Sequence, residues 1–409
     1  MVKDVLAFIL AGGAGKRLYP LTKDRAKPAV PFGGIYRIID FTLSNCLNSN
    51  IRRIFLFPQY KYESLDRHLR YAWNIFSNDV GEFIISIPPQ QRIDENWYQG
   101  TANAIFQNLH TLENEKPKYI IILSGDHIYK MDYSEMLEFH KQKGAEITVG
   151  TIEVEKHNAS GFGIIQVDTD MRIIGFEEKP AKPKAIPGYP DICFASMGVY
   201  IFNTSVLTEL LEDDAWQNTE HDFGKNIIPM ALGKKVVFGY NFKDVNQKSP
   251  KYWRDVGTLD AYWEANMDLV AVDPQFNLYD QDWPIRTYHP QSPPAKFVFA
   301  DEFISHGKRQ RFGVAVDSII SNGCILSGGR VQNSVLSPDV RINSYSYVIQ
   351  SVLMEGVEIG RYSRIRKAII DKGVQIPPNT EIGYNLEKDR KLYTVTSSGI
   401  VVVPKNATF

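Results

Sequence analysis

Cysteine is scarce in this chain of 409 residues, which contains only Cys46, Cys193 and Cys324. These cysteines form no CxxC pair and are odd in number, which argues against a disulfide scaffold and favours a reducing compartment. The simplest interpretation is that all three are buried as small apolar side chains. Long hydrophobic runs are also missing, because the longest early run, Val5–Leu10, is too short for a signal peptide or a membrane span. We therefore expect a soluble, cytoplasmic protein that does not bind membranes.

The chain also lacks an excess of charge of either sign. Its 46 Lys and Arg residues nearly balance 47 Asp and Glu residues, which leaves a formal net charge of -1. Such a chain has no general basic field for nucleic acid, so any anion must be held by a local cluster of cations. Hydrophobic residues make up 44% and charged residues 23%, an ordinary globular composition. At about 150 residues per domain, the length predicts two to three domains.

The first two-thirds of the chain alternate apolar, β-branched runs with segments of helical periodicity. Buried strands that alternate with helices predict a largely parallel sheet covered on both faces. In such sheets ligands bind beyond the carboxyl ends of the strands, so the residues after each run are the first candidates for chemistry. The predicted strands are Val5–Leu10, Arg53–Phe57, Tyr119–Leu123 and Ile147–Thr151, and the predicted helices are Glu63–Phe76 and Tyr133–Lys143.

The last quarter of the chain has a different pattern, in which aliphatic residues recur every 17 positions. Three short strands per coil, each with one inward aliphatic residue, predict a parallel β-helix of about four coils. A β-sandwich with irregular strands is the alternative. The three sets are Ile319, Leu336, Leu353 and Ile370; Ile325, Ile342, Ile359 and Ile376; and Val331, Val348, Ile365 and Ile382.

Prolines separate the two parts of the chain. Pro274, Pro284, Pro290, Pro293 and Pro294 lie within 22 residues, a density that no helix or central strand tolerates. We therefore predict a domain over residues 1–272, an irregular linker over 273–295 and the β-helix over 296–409.

A glycine-rich loop, Ala11–Leu18, directly follows the first predicted strand. It is not a Walker A loop, since Gly15-Lys16 is followed by Arg17, and it lacks the last glycine of the dinucleotide fingerprint. Gly12, Gly13 and Gly15 would still allow backbone N–H groups to approach a phosphate chain. Five cations support this interpretation over that of a structural turn: Lys16, Arg17, Lys23, Arg25 and Lys27. A solvated charged face would normally mix in more acids than Asp24.

Two aspartates are candidates for a hard cation. Asp126 follows the strand Tyr119–Leu123, and Asp255 lies in Tyr252–Thr258; each has a glycine nearby. A carboxylate at the end of a buried strand is well placed to bind a divalent ion beside phosphate oxygens, although Asp126 could instead cap a helix. His127 has no second His or Cys at ligand spacing, so we expect a packed or hydrogen-bonded histidine and no zinc site.

These motifs resemble those of a known family. Gly12-Gly13-x-Gly15-x-Arg17-Leu18 with Lys27-Pro28 resembles the signature of the sugar-1-phosphate nucleotidyltransferases. The segments Phe32–Gly34, Arg37–Phe41 and Leu43–Cys46 are similar, more narrowly, to those of the glucose-1-phosphate adenylyltransferases. The resemblance extends from residue 5 to beyond residue 400. It implies a Rossmann-like α/β nucleotidyltransferase domain with a mostly parallel sheet, followed by a left-handed parallel β-helix for assembly and regulation.

The resemblance also implies an activity and its residues. The adenylyl group of ATP would pass to glucose 1-phosphate with Mg²⁺ as cofactor, giving ADP-glucose and pyrophosphate for glycogen or another α-glucan. Because the sugar phosphate is already a dianion near neutral pH, it needs no general base, and none is evident. The implied residues are Arg17, Lys27 and Asp126 for catalysis; Gly12, Gly13, Gly15 and Gly100 for the nucleotide; Asp126 and Asp255 for the metal; and Tyr98, Gly163, Glu178, Lys179, Ser196 and Asp222 for glucose 1-phosphate.

Regulation and assembly are implied in the same way. Relatives are controlled by phosphorylated metabolites, and Arg25, Arg37 and Arg364 are the candidate effector contacts, although a solvated basic face is the alternative. Arg364 belongs to a basic group with Arg361, Arg366 and Lys367, and a second group comprises Lys308, Arg309 and Arg311. Asp24 stands where members activated by fructose 1,6-bisphosphate carry lysine, and its carboxylate disfavours that activator. A homotetramer is expected.

Three other functions are compatible with parts of the pattern. A uridylyl- or thymidylyltransferase would share the loop and the metal motifs, but the segments Arg37–Phe41 and Asn96–Thr101 favour the adenylyl group. A catalytically silent regulatory subunit would be expected to lose Arg17, Asp126 or Lys179, and all are present. An acyltransferase is disfavoured because residues 319–382 contain no histidine to act as a general base.

Overall fold

A computed structural model of the chain describes residues 4–90, 97–244, 249–300 and 311–409. Within these ranges the α-helices are α1 Ile38–Asn48, α2 Glu63–Ala72, α3 Thr101–Phe106, α4 His110–Glu115, α5 Tyr133–Gln142, α6 Thr204–Ala215, α7 Ile228–Ala231, α8 Leu259–Asp268 and α9 Leu386–Leu392. Asn96, Lys308 and Arg309, which the sequence motifs include, lie outside the described residues.

Fifteen strands belong to the described residues of the amino-terminal part of the chain. They are β1 Val5–Ala11, β2 Pro31–Phe32, β3 Tyr36–Arg37, β4 Arg53–Pro58, β5 Phe83–Ser86, β6 Tyr119–Ser124, β7 His127–Tyr129, β8 Ile147–Glu155, β9 Gly163–Val167, β10 Ile173–Glu178, β11 Ile192–Asn203, β12 Val237–Asn241, β13 Lys243–Asp244, β14 Ser249–Pro250 and β15 Trp253–Asp255. Nine of them form one sheet, in which the path β10-β9-β11-β6-β1-β4-β5 is extended by β8, which pairs with β11, and by β12, which pairs with β8.

The central strand β1 is apolar along its whole length because it is covered on both faces. Ala7 and Ile9 point into one buried cluster, whereas Leu6 and Phe8 point into the other. Since side chains alternate across a strand, this division places helices on both sides of the sheet. The sequence prediction of a doubly covered sheet is confirmed.

The sheet is parallel where the first three predicted strands meet and mixed beyond them. Strand β1 pairs in parallel with β4 and β6, and β4 with β5. Strand β11 instead runs antiparallel to β6, β8 and β9. Helix α2 ends at Ala72, earlier than predicted, and the indole of the next residue, Trp73, donates a hydrogen bond of 2.8 Å to the buried Asp40.

The carboxyl-terminal part forms three sheets whose strands pair in parallel from coil to coil, except for the antiparallel pair β30 and β31, as expected for a β-helix and not for a sandwich. The sheet orders are β16-β19-β22-β25-β28, β17-β20-β23-β26-β29 and β18-β21-β24-β27-β31-β30. The strands are β16 Lys296–Val298, β17 Val314–Val316, β18 Ile319–Ile320, β19 Ile325–Ser327, β20 Arg330–Gln332, β21 Val335–Leu336, β22 Arg341–Ile342, β23 Tyr347–Ile349, β24 Val352–Leu353, β25 Glu358–Ile359, β26 Arg364–Arg366, β27 Ala368–Ile370, β28 Gln375–Ile376, β29 Glu381–Ile382, β30 Thr394–Val395 and β31 Val401–Val403.

The register confirms the 17-residue period except at the first coil. Val331, Val348, Ile365 and Ile382 face one another in successive coils as predicted. In the first coil, however, Leu336 pairs with Ile320 and Ile342 pairs with Leu326, so assigning Ile319 and Ile325 to these stacks was wrong. The reason is that this coil is one residue shorter, and Ile319 packs instead against a cluster shared with the amino-terminal part.

The proline-rich segment lies along helix α1. The Thr287 hydroxyl donates to Asp40, the Trp283 indole donates to Asn45 at 2.9 Å, and the Arg286 amide donates to the Ser44 hydroxyl at 2.8 Å. An apolar cluster joins this segment to both parts of the chain, since it includes Phe276 and Ile285 together with β-helix residues. Among the described residues, no helix is long and apolar enough to cross a bilayer.

Candidate active site

The carboxyl ends of β1, β4 and β6 open into a cleft of about 550 Å³. Parallel strands end at the same edge of a sheet, which explains why loops distant in sequence meet here. The cleft is lined by nearly all of the predicted catalytic and substrate residues: Gly12, Gly13, Arg17, Lys27, Tyr98, Gly100, Asp126, Gly163, Glu178, Lys179, Ser196, Asp222 and Asp255. Gly15 does not line it; its φ of 62° is in the left-handed region, where the Gly15 carbonyl accepts a bond from Thr22.

Lys27 is the centre of charge in the cleft. Its ammonium donates to Asp126 Oδ2 at 2.8 Å and to Asp255 Oδ1 at 2.9 Å, across 99 and 228 residues of sequence. Only 9% of the Lys27 side chain is exposed. Helix capping, the alternative for Asp126, is not its role here, because Asp126 lies between β6 and β7.

The buried charges shift one another's pKa. Burial of the Lys27 ammonium works against its charged form, but the charges of Asp126 and Asp255 outweigh burial and raise the pKa of Lys27. Burial likewise works against the Asp126 carboxylate, yet Lys27 and the neighbouring His127 hold the pKa of Asp126 well below its usual range. The Ser124 hydroxyl also donates to Asp126. Lys27 and Asp126 are therefore charged throughout the neutral pH range.

The two carboxylates offer a donor set for a hard cation. Asp126, His127 and Asp255 each present one potential ligand atom, and these atoms all lie within 4.8 Å of one another. Carboxylate oxygens suit Mg²⁺, which binds through one or two protein carboxylates together with substrate phosphates. The imidazole of His127 packs edge-on against Trp253, with ring centroids 5.0 Å apart, and its Nδ1 is buried without a hydrogen-bond partner. His127 is thus the packed histidine that was expected, at the edge of a site that fits a magnesium ion.

The glycine loop lines the same cleft as Asp126 and Asp255 and leaves room for a ligand. A side chain at Gly13 would meet nothing within 4 Å, whereas one at Gly12 would press on Gln59 at 3.2 Å. Arg17 reaches toward Asp255, with 4.0 Å between nitrogen and oxygen, and 67% of its side chain is exposed. Its guanidinium is therefore available to an anion in the cleft.

Another part of the cleft lining is formed by Glu178 and Lys179 at the end of β10. The Lys179 ammonium donates to Glu178 Oε1 at 2.7 Å, and the Lys179 side chain is 56% exposed. Glycines make space around Glu178: a Cβ at Gly163 would lie 2.8 Å from its Oε2 and one at Gly224 would lie 2.9 Å from it. The carboxylate can therefore reach the cleft between two glycines.

Backbone contact explains the glycine at position 100. A Cβ there would lie 2.2 Å from the Glu220 carbonyl oxygen and 2.4 Å from that of His221, so only glycine fits. Gly100 begins helix α3, and the hydroxyl of the next residue, Thr101, donates to Asp222 Oδ2 at 3.0 Å. This contact ties the Gly100 loop to the Asp222 loop.

Tyr98 and Ser196 also line the cleft, and their hydrogen bonding and strand register are not evident from the sequence. The Tyr98 hydroxyl accepts a bond of 2.9 Å from Asn108, and the side chain is 6% exposed, so its hydroxyl is engaged within the protein. Ser196 lies where the register of β11 against β8 shifts, because the paired positions run from Ser196 to Tyr200 on one strand and from Thr151 to Val149 on the other. Such bulges aim side chains at sites.

Gln59 and Tyr200 are among the cleft residues that sequence reasoning missed. Gln59 directly follows β4 and donates to the Tyr98 carbonyl at 2.8 Å; the rule that ligands bind beyond strand ends would have found it. Tyr200 lies inside β11 and also lines the cleft. Burial raises the pKa of Tyr200, and the charges of Asp222 and Glu178 raise it further. No signal in the apolar stretch around Tyr200 marks it.

The three effector candidates are not brought together. The buried Arg25 pairs with Asp371 of the β-helix at 2.8 Å. Arg37 donates to the carbonyl and hydroxyl of Ser64, and burial lowers its pKa, with the charge of Arg25 contributing. Arg364 instead pairs with Glu381 at 3.0 Å and lies over the Tyr384 ring. Arg25 and Arg37 lie at the junction of the two parts. Arg364 lies on strand β26 of the β-helix, where Glu381 and the Tyr384 ring contact its guanidinium.

Three further basic residues of these groups, Arg366, Lys367 and Arg311, also have partners on the β-helix. Arg366 lies over the Tyr384 ring, the Lys367 ammonium donates to the Ser398 carbonyl at 2.7 Å, and the Arg311 guanidinium lies 3.4 Å from the centre of the Phe299 ring. The positive charges of Arg311, Arg366 and Lys367 therefore have different partners and do not form one cluster.

Comparison with known proteins defines the class of protein first. Residues 6–271 match the family model described as nucleotidyl transferase, and residues 293–403 match one described as GlmU-like, C-terminal hexapeptide. The second match and the three parallel sheets are consistent with the left-handed β-helix that was expected.

Full-length relatives narrow the class. The chain is 58% identical to the glucose-1-phosphate adenylyltransferase of Rhodopirellula baltica, over 99% of this chain and 91% of the relative. It is 54% identical to that of Koribacter versatilis, over 98% and 96%. It is 50% identical to glucose-1-phosphate adenylyltransferase 2 of Vibrio cholerae, over 100% and 99%. The chain therefore belongs to the glucose-1-phosphate adenylyltransferases within the nucleotidyl transferase family.

Proposed function

We propose that the chain transfers the adenylyl group of ATP to α-D-glucose 1-phosphate, which yields ADP-glucose and pyrophosphate. ADP-glucose then serves as glucosyl donor for glycogen or another α-glucan. The observation that carries the proposal is the convergence of a glycine loop, the Lys27–Asp126–Asp255 triad and the Glu178–Lys179 wall in one cleft. The names of the full-length relatives support the choice of substrates.

The nucleotide occupies the side of the cleft formed by the glycine loop. Backbone amides around Gly12 and Gly13 contact the triphosphate, Gly15 shapes the loop, and Gly100 keeps the facing wall free of side chains. The exposed guanidinium of Arg17 binds a phosphate through two of its N–H groups. Asp126 and Asp255 would hold Mg²⁺, which would neutralise phosphate charge when bound.

Glucose 1-phosphate occupies the side formed by Glu178, Lys179 and Asp222. Lys179 neutralises the phosphate, and Glu178 accepts hydrogen bonds from sugar hydroxyls. The Tyr98 ring contributes an apolar surface that suits one face of a pyranose, while Gly163 and Ser196 border the same space. The phosphate dianion attacks the α-phosphorus of ATP, and the bond to the β,γ-pyrophosphate breaks as the new bond forms.

The chain contributes placement and charge to this reaction. Holding two reactants in line removes the entropic cost of their encounter, and fixed cations offset the repulsion between two anions. No proton has to be removed, because the attacking oxygen is already ionised near neutral pH. Lys27 also acts in the free enzyme, where its ammonium lies between Asp126 and Asp255 and offsets part of their mutual repulsion.

The decisive experiment is pyrophosphate release by the purified chain with glucose 1-phosphate, Mg²⁺ and, in parallel, ATP, UTP or dTTP. A rate with ATP that greatly exceeds the other two supports the proposal. Preference for UTP or dTTP would identify a uridylyl- or thymidylyltransferase. No release with any nucleotide would point to a regulatory subunit.

We also propose an anionic effector and a homotetramer. Support for the effector comes from Arg25 and Arg37, which lie where the β-helix meets the amino-terminal part, close to Glu355 and Lys372. Asp24 is exposed beside Arg25, which disfavours fructose 1,6-bisphosphate. Initial rates measured against a concentration series of phosphorylated metabolites test regulation, and a flat response to all would refute it. Light scattering tests the tetramer.

A further inference from the structure

Asp214 and His221 form a buried polar pair next to the cleft, where His221 directly precedes the lining residue Asp222. Asp214, in the last turn of α6, is 2% exposed, and His221 is 8% exposed. The His221 Nδ1 lies 2.7 Å from Asp214 Oδ2, and the Thr219 hydroxyl donates to Asp214 Oδ1 at 2.8 Å. Because a carboxylate accepts only, the imidazole carries its proton on Nδ1. Neither Asp214 nor His221 lines the cleft.

This pair holds a backbone conformation that packing alone does not support. His221 has a φ of 49°, in the left-handed region that residues other than glycine avoid. The preceding residues Trp216–Asn218 and Glu220 are exposed, so little apolar burial fixes the segment. The His221 amide adds a bond of 3.1 Å to the Thr219 hydroxyl. Polar contacts to Asp214 and Thr219 therefore offset the strain.

The strained conformation has a consequence at the cleft. It turns the His221 carbonyl toward helix α3, where it accepts a bond of 2.7 Å from the Ala102 amide. The same carbonyl, together with that of Glu220, is what excludes a side chain at Gly100. The following residue, Asp222, then accepts from Thr101 through one oxygen and from the Gly224 and Lys225 amides through the other.

We propose that the Asp214–His221 pair is a positioning element. It fixes the positions of the Gly100 loop and of Asp222 on the side of the cleft assigned to glucose 1-phosphate, which is called the glucosyl wall here. His221 fixes the Gly100 loop through its carbonyl and places Asp222 through its backbone, while Asp214 holds the imidazole from behind. The assignment of this wall to glucose 1-phosphate rests on the function proposed above. The pair acts on the sugar side of the cleft, so its loss changes the use of glucose 1-phosphate more than the use of ATP.

The test compares His221→Ala with His221→Asn. Alanine removes the imidazole, whereas asparagine tolerates a positive φ and keeps an N–H donor near the position of Nδ1. We expect His221→Ala to raise KM for glucose 1-phosphate about tenfold, with KM for ATP within about twofold, and His221→Asn to recover most of the loss. Asp214→Asn should give an intermediate value. Asn218→Ala, an exposed neighbour on the same segment, is the control.

A readout without substrate separates this inference from the proposed function. Amide hydrogen exchange in α3 should be faster in His221→Ala than in the wild type or His221→Asn, since residue 221 then leaves the left-handed region and its carbonyl turns away from the Ala102 amide. If the wild type forms no ADP-glucose, the proposed function fails, and the exchange result still decides whether the pair fixes the wall. Unchanged exchange in α3 would overturn the inference. So would equal rises in both KM values together with a lower melting temperature, because these indicate a general loss of structure.

Discussion

Replacing Lys27 by methionine should separate the stability of the free enzyme from its activity. The Lys27 ammonium is the cation between Asp126 and Asp255, at 2.8 and 2.9 Å. Methionine has similar length but no charge, so both carboxylates lose their common partner. Oxygens that lie within 4.8 Å of each other then repel by about 3 kcal/mol at an effective dielectric constant of ~20.

The expected result without divalent metal is a loss of about 3 kcal/mol in the free energy of unfolding at neutral pH. For a domain of this size, that corresponds to a melting temperature lower by roughly 5–10 °C. Saturating Mg²⁺ should restore most of this loss, because the ion supplies the missing positive charge, and it should stabilise the variant more than the wild type.

The pH dependence of stability should change in the same variant. The pKa of Asp126 is depressed in the folded protein, mainly because Lys27 outweighs the effect of burial, so this carboxylate stabilises the fold above its unfolded pKa of about 3.9. That contribution is lost as pH falls through the folded value. In Lys27→Met the depression is relieved, and stability should begin to fall at a higher pH than in the wild type.

The assay is thermal unfolding of the wild type, Lys27→Met and the exposed control Lys23→Met, each with EDTA and with Mg²⁺. Turnover in the same buffers should fall by about 10²–10³ in Lys27→Met, because a fixed cation is lost from the reacting phosphates. If Lys27→Met without metal is as stable as the wild type and gains no more from Mg²⁺, the counter-ion role of Lys27 is refuted.

Three further results are expected. Asp126→Asn or Asp255→Asn should lower kcat at least 100-fold in Mg²⁺, whereas the exposed control Asp24→Asn should not; near-normal turnover of either variant would remove the metal assignment. Lys179→Ala should raise KM for glucose 1-phosphate with a smaller loss of kcat, and an unchanged KM would count against its phosphate contact. Burial raises the pKa of all three thiols, that of Cys324 to about 11, so a thiol reagent at pH 8 should label none in the folded protein and all three in urea; fast labelling of any native cysteine would contradict their burial.

The sequence determined the type and order of the main elements, because these depend on local periodicity. The apolar runs around β1, β4, β6 and β8 became strands of one sheet, each slightly longer than predicted. The 17-residue period predicted three stacked sheets, because a repeat places equivalent side chains at equivalent positions in every coil. The rule that ligands bind beyond strand ends located the glycine loop and Asp126 in the cleft.

The one-residue slip in the first coil shows the limit of a period. Ile319 and Ile325 fit the 17-residue arithmetic, yet Ile320 and Leu326 take their places in the stacks. Neighbouring aliphatic residues satisfy a pattern equally well, so only the pairing of whole strands selects one of them. Packing of Ile319 against the amino-terminal part accompanies that selection.

Partnerships between distant charges were decided by tertiary structure alone. The sequence offers Arg25 as a cation for an effector, but a β-helix carboxylate, Asp371, pairs with it. It likewise offers Lys27 for phosphate, and the two aspartates that Lys27 contacts lie 99 and 228 residues away. The physical reason is the sequence separation over which each effect acts. Helical and strand periodicity act over a few residues. The ion pairs and the His221 carbonyl contact form only after the sheet and the β-helix have brought separate segments together.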